Sequence, residues 1–410
     1  MERVILHCDC NSFFASVETA LNPKCRDVPM AVCGSTEDRH GIVLAKNEQA
    51  KKFGIQTAET VYSAKKKCPG LVIAEPHYRE YAEYSRRVNA IYASYTELIE
   101  PFGIDESWLD VTASRRLFGG GEEIAELIRR RVRDEIGITV SIGVSFNKVF
   151  AKLGSDYKKP DAITVISREN YKSIVYPLPV GDLLFVGKKT VESLRAIGIR
   201  TIGELADASE ALMSSRFGKM GEMLLKYARG LDDAPVIPPE DGQQLKSVSN
   251  GFTFRHDLVS CDEVRVGVDY LSEELGMRLR GMDMKCSTVA VSIKDEHLSS
   301  IQRQRSISPP TDIASEIAAV AYSIITAEWR EGRPIRMISV AATNLVKGDS
   351  IAEQIGFFQN SNEEKRKKSK KREMAVDNIR QKYGGASITK ASFIDTDLGI
   401  SPSKDKNGNG

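Results

Sequence analysis

Through the first 166 residues, short apolar runs alternate with segments whose apolar positions recur every three or four residues. RVILHCD (3–9) predicts a strand that ends in Asp9. The next segment, 11–21, carries Phe14, Val17 and Leu21 at helical spacing, with Asn11 or Ser12 available as a cap. PMAVCGSTEDRHGIVLA predicts a β-hairpin and NEQAKKFGI a short helix closed by Gly54. Residues 78–97 predict a long helix, and LIEPFGIDESWLDVT two strands with a tight turn beside Asp105 and Glu106. A helix ending at Gly137, the strand ITVSIGVSF, the helix NKVFAKLGSDY and the strand DAITVI follow. Strands alternating with crossover helices predict a sheet with helices packed on it.

The pattern changes after about residue 170. Short helical stretches are broken by Gly187, Gly198 and Gly203, and FGKMGEMLLKYARGLDDAPV repeats the theme of glycine turn and helix. A link rich in Pro, Gly and Gln occupies 237–244. Residues 245–347 then read β-α-β-β-α-β, with helices at 261–280 and 312–331, an independent small α+β domain. Beyond 347 lies a polar tail containing EEKRKKSKKRE (363–373), expected to be a solvated helix or disordered.

Composition narrows the class. A chain of 410 residues has room for two to four domains. With 41% hydrophobic and 28% charged residues it reads as soluble and globular. No run of 18 apolar residues occurs, so no membrane-spanning helix is expected, and the N-terminus lacks the form of a signal peptide. Seven cysteines without a CxxC pair or a His-rich partner set fit thiols in a reducing cytoplasm. A net charge of +2 does not advertise nucleic acid, so any DNA-binding surface must come from the distribution of charge.

The chemistry centres on the acids. Asp105 and Glu106 interrupt an apolar strand, where an unpaired carboxylate is costly. Asp9, at the end of its own strand, would join them if the strands are antiparallel neighbours. Three such carboxylates repel one another unless a divalent cation sits among them, and oxygen-only ligands point to Mg²⁺ or Mn²⁺. Mg²⁺ commonly takes substrate phosphates as further ligands, and the amides at the start of helix 11–21 would face a triphosphate. Two metals roughly 3.5–4 Å apart would clamp the attacking and leaving oxygens of an in-line displacement, which is nucleotidyl transfer. A lone Asp-Glu pair is more commonly a solvated turn, and a strand-end Asp a helix cap; the joint context raises the reading above either.

CDCNSFFASVE, PFGIDESWLDVT and SIGVSFNKVFAKLGSDYKKPDAITVI resemble the Y-family translesion DNA polymerases, the group of DNA polymerase IV and the catalytic subunit of DNA polymerase V. The likeness runs in order through residues 1–347 and is densest over 1–166. It implies an α+β multidomain fold: a palm with a ferredoxin-like sheet (1–30 and 78–166), small fingers (31–77), a helical thumb with a helix-hairpin-helix (167–235), a linker (236–244), an α+β little-finger domain (245–347) and a C-terminal tail (348–410). The implied metal ligands are Asp9, Asp105, Glu106 and the backbone carbonyl of Cys10, holding two Mg²⁺ with Mn²⁺ as a substitute. The implied sugar-selecting aromatic is Phe14, whose ring would leave no room for a 2′-hydroxyl. Phe13 is its neighbour at the nucleotide and the better candidate for a core residue. Lys159 matches the triphosphate-binding lysine.

The short fingers helix departs from the pattern. Where DNA polymerase IV-like members carry a tyrosine and an arginine, this chain has Glu48 and Lys51. Lys51 can act as a point charge without the arginine fork, whereas Glu48 would repel a phosphate and is expected to point elsewhere. Gly187, Lys188 and Lys189 in FVGKKTVESLRAIGIRTIGEL fit a phosphate-holding hairpin, with Lys189 in place of the second glycine. In IQRQRSIS, Gln302, Gln304 and Ser306 share one strand face, and Arg303 and Arg305 share the other. The arginine face would grip phosphates or protect an edge strand. The segment EQIGFF resembles the bacterial clamp-binding pentapeptide, with Gln354 as the polar contact and Ile355, Phe357 and Phe358 filling a pocket on the sliding clamp. The expected partners are primer-template DNA, deoxynucleoside triphosphates and the clamp, bound by a cytoplasmic monomer with no membrane association. A nucleotidyl cyclase and a non-catalytic DNA-binding scaffold are the rival readings; the thumb hairpin and trailing domain argue against the first, the three acids against the second.

Overall fold

In the computed structural model, β1 (Ile5–Cys10) is buried at every position, as suits the central strand of a sheet covered on both faces. The structure describes residues 2–35, 41–239, 245–348, 360–394 and 396–400. These form two compact units, residues 2–33 with 43–239, and residues 34–35 and 41–42 with 245–348, 360–394 and 396–400.

In the first unit β1 leads into α1 (Phe13–Leu21), β2 (Met30–Cys33), β3 (Val43–Lys46), α2 (Glu48–Lys51), α3 (Val61–Lys67), β4 (Val72–Ala74) and α4 (Tyr78–Ala93). Then come β5 (Ile99–Pro101), β6 (Glu106–Asp110), α5 (Arg115–Phe118), α6 (Gly121–Arg131), β7 (Val140–Ser145), α7 (Lys148–Tyr157) and β8 (Ile163–Ile166). The main sheet runs β5-β6-β1-β7-β8, with β1 antiparallel to both neighbours. A separate sheet, β3-β2-β4, contains the expected hairpin.

Alternation along β1 divides its side chains between two environments. Leu6, Cys8 and Cys10 join the core formed with α4 and α6. Ile5, His7 and Asp9 point to α7, where they meet Ala151, Ser155 and Lys152. Glycine sets how closely α7 approaches. A methyl group on Gly143 of β7 would collide with the Ala151 carbonyl and the Ser155 amide, and one on Gly154 would lie 2.9 Å from Gly143 Cα. The Asn147 side chain caps α7 by accepting from the Phe150 amide.

The rest of this unit is helical: α8 (Tyr171–Val175), α9 (Lys188–Arg195), α10 (Ile202–Asp207) and α11 (Glu210–Ala228), packed around Phe146, Phe150, Leu194, Leu205 and Leu224. Gly198, at φ 87°, ends the turn after α9 in the left-handed region that glycine tolerates.

The second unit follows the order β9 (Ser247–Leu258), α12 (Cys261–Gly281), β10 (Met284–Lys294), β11 (Ser300–Thr311), α13 (Ala314–Glu328) and β12 (Ile335–Lys347), the expected β-α-β-β-α-β. Its antiparallel sheet is ordered β11-β10-β12-β9, so β11 is an edge. Arg303 pairs in register with Val291 and Arg305 with Val289, both core residues. The two arginines therefore lie on the helix side, where Arg303 donates to Glu328 and Arg305 to Ser323 of α13. The opposite face consists of rows of small polar residues, Ser306–Thr288–Thr343–Ser247, Gln304–Ala290–Ala341–Ser249 and Gln302–Ser292–Ser339–Gly251.

The segment after 347 departs from the expected free tail. It forms α14 (Asn360–Tyr383) and then returns to the core, where Phe393, Leu398 and Ile400 are buried. The α14 contacts are ionic: Arg366 with Glu316, Lys370 with Asp312, Arg280 with both Glu373 and Asp377, and Arg380 with Glu273. These α14 positions, 366, 370, 373, 377 and 380, make one helical stripe. Because the stripe is charged, hydrophobic periodicity does not reveal it. Gln354, Ile355, Phe357 and Phe358 lie outside the described residues, between β12 and α14 rather than on a free end.

Candidate active site

Antiparallel pairing places Asp9 of β1 directly opposite Glu106 of β6. Asp105 precedes Glu106 in the turn, and its carbonyl accepts from the Cys10 amide at 3.0 Å. The sequence-predicted acids are thus brought to one end of the sheet. Two lysines accompany them. Lys152 Nζ lies 3.1 Å from Asp9 Oδ2 and 2.8 Å from Glu106 Oε2. Lys159 Nζ lies 2.6 Å from Asp9 Oδ2 and 2.7 Å from Asp156 Oδ1. His7, fully buried, places Nε2 3.2 Å from Glu106 Oε2 and Nδ1 2.8 Å from Ser155 Oγ.

The carboxylates have unequal environments. Burial opposes charge on Glu106, but the His7 contact and the Lys152 ammonium outweigh it and bring the group down to about 2. Burial, then the charges of Asp9 and Glu106, push Asp105 up to about 6. Burial works against charge on Lys152 as well, yet Asp9 and Glu106 hold it firmly protonated. Burial also lowers His7, against the raising influence of Glu106. Asp105 is therefore the acid whose charge the protein alone leaves poorly compensated.

That imbalance bears on metal binding. Among the described residues, no three acidic, His or Cys groups already converge as a metal cage. The donors are nonetheless hard carboxylate oxygens, and an added cation would relieve the repulsion on Asp105. The residues fit a hard divalent cation that completes its shell with water and phosphate. Cys10 ends β1 with a buried thiol, leaving only its backbone as a candidate ligand.

Phe14 is half-buried, and its ring stacks on Tyr81 at 4.2 Å between centroids and 13° between planes. The Tyr81 hydroxyl donates to the buried Glu18 carboxylate. Phe13 is 3% exposed within the palm core, so the structure sets it behind Phe14 rather than at a substrate surface. Ser12 occupies the N-cap of α1 at φ 49° without making a side-chain cap. Asn11 is committed elsewhere: its amide donates to Ser141, and its oxygen accepts from Thr139 and from the Asp161 amide. Glu48 does not turn away from this region. Its carboxylate holds Lys51 at 2.5 Å and lies 3.5 Å from Ser12 Oγ.

Gly187 caps α9 in extended backbone, and exposed Lys188 and Lys189 form its first turn. Sequence reading missed Lys152, His7 and Tyr81. The available signal for Lys152 was a lysine set between Ala151 and Leu153 in a helix whose other residues of that stretch are buried.

A sheet that presents three acids beside an uncapped helix, followed by a helical module with a basic, glycine-started turn, defines a palm-and-thumb nucleic-acid polymerase. The impB/mucB/samB family matches residues 8–156, its C-terminal domain residues 245–357, and a DNA polymerase-iota thumb domain residues 181–232. DNA polymerase IV of Acetivibrio thermocellus is 45% identical over 96% of this chain and 98% of its own. DNA polymerase IV of Clostridium kluyveri is 35% identical over 96% and 99%. The solved Y-family DNA polymerase chimera Dbh-Dpo4(243-245)-Dbh shares the fold, with a TM-score of 0.75 at 22% identity over 84% of this chain and 99% of that one. The chain belongs to the impB/mucB/samB family of Y-family DNA polymerases. It is a DNA-directed DNA polymerase, which sets the cyclase and scaffold readings aside.

Proposed function

We propose that this polymerase adds deoxynucleotides to a primer opposite damaged template bases, with Asp9, Asp105 and Glu106 holding two divalent cations, Mg²⁺ or Mn²⁺. The observation that carries the reading is the register of Asp9 against Glu106, with Asp105 raised by burial and then by the charges of both. When bound, the cations supply Lewis-acid stabilisation of the oxygens exchanged at phosphorus. The protein's own groups do the rest. The first-turn amides of α1, free of a side-chain cap, donate to the triphosphate. Lys159 is the lysine a triphosphate reaches, since its side chain is 32% exposed against 16% for Lys152. Phe14, backed by Tyr81, occupies the space a ribose 2′-hydroxyl would need. Lys51, already balanced by Glu48, contributes less than an unpaired cation.

Gly187, Lys188 and Lys189 hold a DNA phosphate without reading sequence. The Ser, Thr, Gln and Ala rows of the second unit's sheet offer a low-profile polar face to the duplex backbone; Arg303 and Arg305 lie on the opposite face, against α13, and do not join it. The segment 353–358 tethers the enzyme, a monomer, to a sliding clamp. Primer extension tests the central assignment. Asp105→Asn and Glu106→Gln should each abolish extension and retain primer-template binding; near-native extension by either overturns it. Bypass of a small panel of damaged templates tests the translesion role, which fails if each lesion stops the enzyme.

A further inference from the structure

The α14 helix has two faces of opposite character. Its inward stripe is ion-paired to α12 and to the start of α13, as described above. Its outward side carries Lys365, Lys368, Lys371 and Arg372, all exposed. None of these four meets an acidic side chain among the described residues, whereas Arg366, Lys370 and Arg380 on the inward stripe each do. Lys365 and Lys368, Lys368 and Lys371, and Lys368 and Arg372 stand three or four residues apart, spacings at which like charges destabilise a helix. Exposed Glu364, four residues before Lys368, is a single acid against four cations and does not offset all of that repulsion. A polyanion would, and its natural source for a polymerase is the phosphate backbone of DNA.

We infer that the outward ridge of α14 is a second, sequence-independent DNA contact, distinct from the primer-template surface. The placement separates the two. The helix packs against α12 and α13, whereas the small polar rows of the sheet face the other way. The ridge would hold a further stretch of duplex and keep the enzyme on DNA between synthetic events. Its contacts are point charges on flexible stems, suited to phosphates and not to base edges.

The test is the full-length quadruple variant Lys365→Gln, Lys368→Gln, Lys371→Gln and Arg372→Gln, which leaves every inward ion pair in place. Affinity for a blunt duplex without a primer terminus is measured across a salt series. The expected result is an affinity at least about tenfold lower at low salt. The log–log salt slope should also be shallower by about 2–4, because each phosphate that is no longer neutralised removes about 0.9 from it. Extension of saturating primer-template stays unchanged. A second variant with arginine at 365, 368 and 371 keeps the charge and should bind like the wild type. Unchanged affinity and slope in the glutamine variant overturn the inference. So does equal loss of binding in both variants, which would mark a folding defect, or a ridge that captures anionic lipid vesicles and not duplex.

Discussion

The Lys152 ammonium lies 3.1 Å from the Asp9 carboxylate, on the same strand face that presents Asp9 to Glu106. It bridges that pair of acids at a place where a bound cation would otherwise compensate them. Replacing Lys152 with Ala should destabilise the metal-free protein by about 1–3 kcal/mol, less than for a fully buried pair because the site is partly solvated. Divalent cation should recover much of that loss. Thermal unfolding with EDTA and with Mg²⁺ checks both; a variant as stable as the wild type in EDTA would show that the lysine balances nothing.

Asp105 makes the opposite contribution. Its folded pKa, about 6, lies above the ordinary value of about 3.9 for an unfolded aspartate. Protonation therefore favours the fold. The unfavourable contribution is fully present above pH 6 and fades as pH falls toward 4. Asp105→Asn should raise the melting temperature of metal-free protein at pH 7.5, with the gain shrinking near pH 4.5. A uniform gain across that range, or a loss at pH 7.5, would contradict the electrostatic account. The same variant should be inactive in extension, so stability and catalysis move in opposite directions.

Phe14 stacks on Tyr81 and meets Tyr78 edge-on, and its ring stays half-buried rather than sealed in the core. Phe14→Ala should admit ribonucleotides much more readily while changing deoxynucleotide use little. Competition between the two sugars on one template measures the ratio. An unchanged preference with lowered stability would return Phe14 to a purely packing role.

What sequence reading recovered and what it missed have physical causes. The strand ending in Asp9 and the turn at Asp105 were legible because acids interrupting apolar runs stand out, and antiparallel neighbours were the simple way to join them. Lys152 was not legible: a lysine within an amphipathic helix reads as solvated, and only the contact of Gly143 with Gly154 draws α7 close enough for its ammonium to reach Asp9. The separation of Gln302 and Gln304 from Arg303 and Arg305 follows from strand alternation alone. Which side faces α13 depends on register, set by the pairing of Arg303 with Val291. Repulsion predicts that Glu48 turns away, but Lys51 neutralises it where it stands.

The C-terminal segment gives the last prediction. Arg280 is 9% exposed, and its guanidinium donates to Glu373 and to both oxygens of Asp377. It also donates to the Asp312 carbonyl, which ties the end of α12 to the start of α13 through α14. Farther along, Phe393, Leu398 and Ile400 enter the same core as Phe254 and Leu271, and the Arg255 amide donates to the Leu398 carbonyl. The segment is thus an integral layer of the second unit. Ending the chain after residue 359 would expose that apolar surface and strand Arg280 without its acids. Glu373→Gln with Asp377→Asn isolates the ionic part. Leaving a nearly buried guanidinium uncompensated should cost about 3–5 kcal/mol, and high salt should not restore it because the pair is shielded from solvent. Removing the outward charges of α14 instead should not lower stability and should raise it slightly, because their mutual repulsion goes with them. Denaturant unfolding of the full-length variants, read with the protease sensitivity of residues 360–400, distinguishes the cases. If the double variant and the truncated chain unfold at the wild-type midpoint, the segment is an accessory tail after all.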